Sequence, residues 1–539
     1  GPTVSLFRNV LTVGGATLGS RLLGFLRDTL IAAALGTGAA ADAFFVAFRL
    51  PNLFRRLFAE GAFAAAFVPI FVRCRAEAGE AAARRFSGEA LLLLTAVVAG
   101  VTVLATVFAP ALVDLLAPGF AEDAGKRELA IALARICLPY LVAITVVALL
   151  SGLMSADRRY LWPALAPVAL NLVLITTLAG LLGAGVIDRA RSATVLAWGV
   201  AAAGLAQVGL LAVAVRAAGL GPAFSRPRVS PEVKRLLRLG LPGLLAGAMS
   251  EINIVVGTML ASATAGAVSW LYYADRLYQL PLGVVGIAVG QVLLPEIAHR
   301  IAGGDEAGGR EVQNRALEFA LALALPAALA LVLLAEPIVR VLFERGAFGP
   351  ADTRAAARAL AIFACGLPAF VVGRVFAPAF FAREDTTTPM VIGGLAVAVN
   401  VGLALALLPH LGWIAVAVAT TAAGWVNAAV LFARLAGRGH WRADADLRRR
   451  LPRLALAAVA MAMAVAVAQG AVAPLLETGR ALALRAGVLA GLVGLGLAVH
   501  GGLLVALGVV DRARWTALKA GRERVTSGEA SCSRPEDRA

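Results

Sequence analysis

The sequence predicts an all-α integral membrane protein with fourteen transmembrane helices, arranged as two six-helix lobes related by a pseudo-two-fold axis plus two C-terminal helices. Composition, recurring long apolar segments and an internal repeat lead to this prediction. Of the 539 residues, 60% are hydrophobic and only 15% are charged, whereas soluble domains are about half apolar and about a quarter charged. Because one soluble core cannot bury this excess, a lipid bilayer is the expected solvent.

Apolar segments long enough to cross a hydrocarbon core of roughly 30 Å as helices recur along the chain. Charged or Gly/Pro-rich stretches separate them and set the predicted boundaries. The predicted helices cover residues 9–36, 40–72, 87–117, 128–154, 161–184, 193–216, 235–262, 266–298, 314–343, 353–382, 389–409, 412–436, 453–474 and 482–510. An even number of spans places both termini on the same side of the membrane.

The distribution of Lys and Arg predicts the orientation, because short cytoplasmic loops accumulate these residues. With the N-terminus inside, the basic loops within 216–238 and 434–453 and the basic tail over 512–539 all become cytoplasmic, and far fewer basic residues fall outside. The net charge of +16 follows from this topogenic pattern. Nucleic-acid proteins instead carry their charge on a solvated face, so no nucleic-acid partner is expected.

Two pairs of similar segments indicate an internal repeat. Residues 47–50 and 68–70 resemble residues 274–277 and 294–296 at an offset of 226 to 227. Leu-Pro at 138–139 followed by Asn171 matches Leu-Pro at 367–368 followed by Asn400 at an offset of 229. Six helices per half make the repeats parallel, with the substrate expected between them.

The repeat divides the chain into predicted domains. They are an N-terminal lobe of helices 1–6 over 1–220, a C-terminal lobe of helices 7–12 over 221–440, helices 13–14 over 441–511, and the basic cytoplasmic tail over 512–539.

Arginines inside the apolar segments are the main functional signal. A central Arg or Asp costs on the order of 2.5–3.5 kcal/mol on insertion scales, so such residues line water or one another. Arg27, Arg55, Arg56 and Arg276 outnumber the neighbouring acids, and arginine suits phosphate because its planar fork donates paired hydrogen bonds. Snorkelling or local pairing stays open as the alternative, above all for Arg49.

Metal and catalytic signals are not apparent in the sequence. The four cysteines have neither pair nor CxxC spacing, so neither a zinc site nor a disulfide framework is predicted. The histidines lie apart, at loops or at the ends of spans. We therefore expect a protein that is not an enzyme, with no metal site and no cofactor.

Several motifs resemble the MurJ (MviN) lipid II flippase family of the multidrug/oligosaccharidyl-lipid/polysaccharide exporter superfamily. They are SRLLGFLRD at 20–28, ADAFFVAFRLPNLFRRLFAEGAFAAAFVPIF at 41–71, SWLYYADRLYQLPLGVVGIAVGQVLLPEI at 269–297, LFERGAF at 342–348 and FFAREDTTTP at 380–389. The resemblance implies alternating-access transport of the undecaprenyl-diphosphate-linked peptidoglycan precursor to the periplasmic leaflet of the bacterial inner membrane. It also implies that helices 13 and 14 form a groove for the lipid tail. The expected partners are lipid II, the bilayer and the peptidoglycan synthesis machinery.

The resemblance also implies the functional residues. Those matching the motif arginines of the central cavity are Arg21, Arg27, Arg55, Arg56 and Arg276. The acids expected as gating or charge partners are Asp42, Glu60, Asp28 and Asp275, and the secondary candidates are Arg49 and Arg374.

One departure from the family concerns ion coupling. Some members hold sodium with acids on helices seven and eleven and a threonine on helix twelve, and the matching positions here are Gly257, Asn400, Ala404 and Thr420. The missing carboxylates argue against such a site, although Glu251 on helix seven is a substitute ligand to consider. Membrane potential or another ion gradient is then the expected driving force.

Two other functions remain open. A multidrug exporter, or an exporter of another lipid-linked oligosaccharide, shares the superfamily, but multidrug antiporters use buried acids and here the intramembrane excess is basic. A membrane enzyme acting on polyprenyl phosphates needs carboxylates or a metal beside the phosphate, and the sequence offers no DxD-type pair.

Overall fold

A computed structural model describes residues 2–59, 62–224, 229–290, 293, 297, 300–301, 303–383 and 385–509, with the side chains of 2–15, 17–18, 54–59, 62–66, 239–250 and 285–290 left out. The secondary structure in these ranges is helical. The α-helices are α1 (Pro2–Leu35), α2 (Ala39–Ala59), α3 (Ala62–Ala78), α4 (Glu80–Val107), α5 (Ala109–Leu116), α6 (Ala124–Cys137), α7 (Tyr140–Ala156), α8 (Leu161–Gly183), α9 (Arg189–Ala217), α10 (Pro231–Ala261), α11 (Ala267–Gly290), α12 (Glu306–Leu333), α13 (Ala335–Phe343), α14 (Pro350–Phe381), α15 (Thr387–Leu411), α16 (Ala415–Gly437), α17 (Ala445–Val472) and α18 (Leu482–Ala506). Short 3₁₀ helices cover Pro118–Glu122, Gly412–Ile414 and Ala473–Leu475.

The helices confirm the all-α membrane fold. In the described part of the chain, nine segments are long and apolar enough to cross a membrane, and the one over Thr387–Gly437 contains both α15 and α16. The helices α1, α2, α10 and α11, which carry most of the predicted site residues, are not among the nine. Each predicted span overlaps a helix, whereas the count of fourteen spans stays a prediction.

Prolines divide three of the predicted spans into two helices each. The segment predicted over 87–117 is α4 followed by α5, and Pro110 is the second residue of α5. Pro139 separates α6 from α7, and Pro337 follows the break between α12 and α13. Proline has no N–H to donate, and its ring clashes with the carbonyl four residues earlier, so each break falls within the turn before a proline.

Helix packing repeats between the two halves. In the first half, α7 packs against α2, α4 and α9, and α8 packs against α9. In the second half, α14 packs against α11, α12 and α16, and α15 packs against α16. These are the pairs that the repeat predicts, and one apolar core continues through both halves. The domain boundaries at 220 and 440 stay predictions.

Helices α2 and α11 contact each other through residues that the repeat makes equivalent. The ring centres of Phe45 and Tyr272 lie 3.9 Å apart in a stacked pair. The Ser269 backbone N–H donates to Asp42 at 3.0 Å. Both pairs are separated by 227 positions, and equivalent residues can meet only beside the axis that relates them. The pseudo-two-fold axis therefore passes between α2 and α11.

A partly buried charge network holds the C-terminal helices against the second half. Arg315 on α12 donates through Nη2 to both carboxylate oxygens of Asp444, at 2.7 and 2.6 Å. Glu318 on α12 accepts from Arg315 at 2.5 Å and from Arg450 on α17 at 2.9 Å. The network fixes the start of α17, and apolar contacts continue along α17 and α18.

The segment that joins the two halves lies against α4. The Ala223 N–H donates to the Arg84 carbonyl at 2.9 Å, and Arg84 Nε donates to the Gly221 carbonyl at 2.7 Å. A Cβ placed on Gly88 would lie 2.1 Å from the Ala223 carbonyl oxygen. Only glycine at position 88 lets the backbone of this segment approach the helix so closely.

We expect Gly88→Ala to lower the melting temperature of the purified protein, because the new methyl group overlaps backbone atoms and overpacking typically costs about 1–3 kcal/mol. Gly100→Ala on the same helix is the control, since no atom lies within 4 Å of its Cβ position. Thermal unfolding in detergent measures both variants, and equal melting temperatures would contradict the assigned contact.

Candidate functional site

A buried ion pair on α1 forms the first part of the site. Arg27 and Asp28 are 7% and 2% exposed, and Arg27 Nε and Nη2 donate to Asp28 Oδ1 at 3.1 and 2.8 Å. Arg27 Nη1 donates to Asn171 Oδ1 on α8 at 2.9 Å, and Asn171 Nδ2 donates to the Ser20 carbonyl at 2.9 Å. Asn171 therefore fixes the orientation of the Arg27 guanidinium and joins α8 to α1.

Arg276 on α11 brings a second guanidinium to the same carboxylate. Its Nε lies 3.5 Å from Asp28 Oδ2, and the Tyr272 hydroxyl donates to Asp28 Oδ1 at 3.0 Å. The Arg276 Cζ atom is 4.9 Å from the centre of the Tyr272 ring, which stabilises the cation through the ring quadrupole. Two arginines from different halves thus share one acid and leave a net positive charge.

A cavity of about 170 Å³ lies beside this cluster, between α2, α10, α11, α14 and α16. Arg276 and Tyr272 line it, together with Arg49 on α2, Asp275 on α11 and Glu251 on α10. Arg49 Nη1 donates to a backbone carbonyl of α10 at 3.5 Å. Charges from both halves therefore meet in one cavity.

Among the residues that the structure describes, the charged groups that line the cavity are balanced. Its acids Asp275 and Glu251 match its arginines Arg49 and Arg276 in number. The positive excess appears only when the neighbouring groups are included, because Arg27 shares Asp28 with Arg276 and two further arginines lie nearby.

Those further arginines are Arg21 and Arg374, both exposed. A Cβ placed on Gly283 of α11 would lie 1.9 Å from Arg21 Nη1, so the absent side chain at 283 leaves room for this guanidinium. Arg374 on α14 interacts electrostatically with Arg21 and with Tyr278. These contacts bring cations from α1 and α14 together on one side of α11.

Asp42 lies apart from the arginines and binds a different cation. Its carboxylate is 0% exposed. It accepts from Lys126 Nζ at 2.8 Å, from the Gly266 N–H at 2.7 Å, and from the N–H and hydroxyl of Ser269. Asp42 precedes Arg49 by two turns, about 10 Å along α2. Asp42 was expected to pair with the cavity arginines, but in the structure it pairs with Lys126.

Two turns interlock at the same end of the molecule. Gly36 and Gly346 have φ values of +62° and +59°, and a Cβ on either would lie 2.3 Å from a carbonyl oxygen of the other turn. The Ala347 N–H donates to the Ala33 carbonyl at 3.0 Å. Asp352 accepts from Trp270 Nε1 at 3.0 Å and from Thr37. Contacts between the halves therefore close the end formed by the α1–α2 turn, which we call the outer end.

Three predicted residues lie beyond what the structure describes. Glu60 lies outside the described residues, and so do the side chains of Arg55 and Arg56, although α2 includes their backbone. The tail predicted over 512–539 lies outside them too.

The sequence did not identify Lys126, Tyr272 or Asn171 as site residues. Lys126 lies between the spans predicted over 87–117 and 128–154, whereas in the structure Asp123 caps α6 by accepting from the Lys126 N–H at 3.0 Å. Asn171 was noted in the sequence only because it matches Asn400 in the internal repeat. That match was the one sequence signal that could have indicated its contact with Arg27.

The positions matched to the family's sodium site are only partly brought together in the cavity. Gly257 and Thr420 line it, whereas Asn400 and Ala404 are buried on α15. The Thr420 hydroxyl donates to the Val416 carbonyl within α16 at 2.8 Å. Over the described residues, no group of three or more His, Cys, Asp or Glu side chains could hold a metal ion.

The chain is similar to known proteins over nearly its whole length. The family model described as "Lipid II flippase MurJ" matches residues 31–485. The "Probable lipid II flippase MurJ" of Rhizobium meliloti (strain 1021) is 50% identical over 507 residues, which cover 94% of either chain.

Solved structures show the same fold. The structure titled "Lipid II flippase MurJ, inward closed conformation" has a TM-score of 0.75 at 23% identity and covers 92% of this chain and 98% of its own. An inward-facing multidrug resistance MATE transporter of the MOP superfamily has a TM-score of 0.64 at 16% identity and covers 78% and 95%.

We expect Asn171→Leu to destabilise the protein by about 1–3 kcal/mol, because Arg27 Nη1 then loses its acceptor in a buried site. Thr176→Val on the same helix is the control, since the exposed Thr176 hydroxyl bonds only within α8. Thermal unfolding in detergent measures the difference, and the assignment fails if both variants melt with the wild type.

Proposed function

The chain belongs to the lipid II flippase MurJ family, and from this premise we propose that it moves the diphosphate head group of lipid II across the membrane past the buried arginines. The family consists of transporters, so the chain is a transporter and not an enzyme. Its helices make it an integral membrane protein.

The convergence of Arg27 and Arg276 on Asp28 is the observation that carries the proposed binding step. The 3.5 Å contact of Arg276 Nε is long for a charged hydrogen bond, which normally measures about 2.7–2.9 Å. A diphosphate offers more negative charge than one carboxylate and can bind both guanidinium forks. We infer that it takes Arg276 from Asp28, while Asn171 keeps Arg27 in position.

The neighbouring arginines extend this proposal over the path of the head group. Arg21 and Arg374 attract the anion, Arg49 and Arg276 contact it in the cavity, and Arg55 and Arg56 belong to the site through the family motif. Asp275 and Glu251 limit how tightly the anion binds. A transporter needs that limit, because a substrate bound too firmly is not released.

The outer-end contacts support an alternating-access mechanism. In this conformation Asp42 joins Lys126 of the first half to Gly266 and Ser269 of the second. Release on the outer side requires these contacts and the interlocked turns to separate. In this mechanism the head group enters from the end opposite to the outer end. The halves rock about the axis between α2 and α11 to change access from one side to the other.

The driving force of this cycle is the membrane potential or an ion gradient. Moving one elementary charge through 100 mV is worth about 2.3 kcal/mol, so a negative interior helps to expel an anionic head group. Gly257 and Asn400 supply no carboxylate at two matched positions, which favours a cycle that does not depend on sodium at that site.

The remaining parts of the proposal follow from the topology and the family. The protein acts in the bacterial inner membrane with both termini in the cytoplasm, so the outer end faces the periplasm. The prenyl tail lies along α17 and α18, and the peptidoglycan synthesis machinery receives the product.

A multidrug exporter is the rival function. The MATE structures share the fold at 16% identity, which gives no information about the substrate. The Arg27–Asp28–Arg276 cluster favours an anion over the cationic substrates that buried acids would bind.

We expect Arg27→Ala and Arg276→Ala to lose transport by roughly tenfold or more, because hydrogen bonds to charged groups contribute about 1.5–3 kcal/mol. Rescue of the periplasmic labelling of the lipid-linked precursor in flippase-depleted cells measures transport, with immunoblots for protein level. Arg189→Ala, at an exposed position on α9, should rescue fully. Full rescue by both cavity variants would refute the binding site, and failure of the wild-type chain would refute the proposed function.

We expect Asp42→Asn and Lys126→Gln to open the outer end, because breaking a buried ion pair costs about 3–5 kcal/mol. A single cysteine at Ala267, otherwise 0% exposed, should then react roughly tenfold faster or more with an impermeant maleimide. The double variant should react no faster than either single one.

Asp114→Asn is the matched control for the gate, because it removes an exposed ion pair with Arg127 of 2.6 Å and exposed pairs contribute little. Equal labelling rates for Asp42→Asn and Asp114→Asn would rule out a gating role for Asp42.

A further inference from the structure

Arg485 is a buried charge outside the central site that the proposed function does not explain. It lies in the first turn of α18 and is only 7% exposed. Its Nε and Nη1 atoms are buried without a hydrogen-bond partner among the described residues. A buried guanidinium is stable only when acceptors satisfy its N–H groups. Arg485 therefore points to an acceptor from outside the chain.

A second arginine lies close to Arg485, because α13 packs against α18 and Thr478, just before α18, donates to Glu344 at the end of α13. Arg345, on the turn after α13, interacts repulsively with Arg485, and burial followed by this repulsion lowers the pKa of Arg345. Arg345 Nη2 donates to the carbonyls of Val341 and Leu342 at 2.7 and 2.9 Å. Because these acceptors are neutral, they leave the charge of Arg345 uncompensated.

The acids near this pair are already engaged. Glu344 accepts from the hydroxyls of Thr353 and Thr478, both at 2.5 Å, and lies 3.7 Å from Arg340 Nε. Glu336 accepts from Arg340. The negative charge of this region is therefore directed to Arg340, and the positive excess stays at Arg345 and Arg485.

The surroundings indicate where the anion comes from. Helix α18 begins without a side-chain cap, so its N-terminal N–H groups and helix dipole also favour an anion. Leu482 and Leu484 beside the site are 44% and 42% exposed, as expected for a surface that faces lipid. Gly346 packs on Ala33, which places the site at the outer end, where a lipid phosphate would lie.

We propose that Arg345 and Arg485 bind a phosphate group at the outer end of α18. The shared chemistry is a phosphate that accepts from both guanidinium forks. Its source is either a phospholipid headgroup or free inorganic phosphate. The proposal is independent of the transport function, because neither arginine touches the central cavity. Bound there, the phosphate joins α18 to the turn after α13.

The test compares melting temperatures of the full-length protein in a neutral, phosphate-free detergent, with and without phosphatidylglycerol or inorganic phosphate. Without a probe, Arg485→Met should melt at or above the wild type, because it removes an uncompensated buried charge. Phosphatidylglycerol should raise the melting temperature of the wild type and of Arg480→Met, the exposed control, but not of Arg485→Met or Arg345→Met. The apparent affinity should fall roughly tenfold or more in the latter two.

The two probes distinguish the sources. Stabilisation by phosphatidylglycerol alone identifies a lipid headgroup, whereas inorganic phosphate that stabilises and competes identifies the free anion. Either result supports the phosphate site. The proposal is wrong if neither probe stabilises the wild type, or if Arg485→Met responds as the wild type does. A lower melting temperature without probe together with unchanged affinity would show a packing role instead. If Arg485→Met fails to fold, the same measurements on Arg345→Met and Arg485→Lys test the phosphate site.

Discussion

The structure depends on one constraint, which is that a charge buried in the bilayer needs a partner from another helix. Asp28 meets it by accepting from Arg27 on its own helix and by lying 3.5 Å from Arg276 on α11. Asp42 meets it with Lys126 and two backbone N–H groups. Because neither carboxylate can be left alone in a low dielectric, each one joins the two halves. The same contacts that stabilise the fold are thus the ones that a conformational change must exchange.

The pseudo-two-fold axis explains why these contacts collect on α2 and α11. Residues related by the repeat meet directly only beside the axis, as Phe45 and Tyr272 do. Ser269 stands where the repeat would place a second Asp42, so a hydroxyl and an N–H face the carboxylate instead of a like charge. Two carboxylates at that distance would repel each other. Divergence of the repeat at this position therefore makes the closed outer end stable.

Glycine determines how closely the backbone segments approach. Gly36 and Gly346 adopt positive φ values and let two turns interlock at the outer end, while Gly88 admits the segment that joins the halves. A side chain at any of these positions would meet backbone atoms, which cannot move aside as a flexible side chain can. Rigid close contacts thus surround a central site whose charged groups have alternative partners.

The sequence by itself determined the fold class and the approximate positions of the helical segments, and it predicted a role for the arginines. These features are local, because apolar length and charge in a span are read from consecutive residues. The helix breaks at Pro110, Pro139 and Pro337 also have a local cause, although the predicted spans did not include these breaks.

Only the tertiary structure decided which charges pair. Asp42 and Lys126 are 84 positions apart, and Arg27 and Asn171 are 144 positions apart. No spacing rule relates residues so distant in the chain, because helix packing sets their separation in space. For the same reason the sequence could not show that Glu251 and Asp275 line one cavity with Arg49 and Arg276. The arginines and the candidate acids were visible in the sequence, whereas the pairs that they form were not.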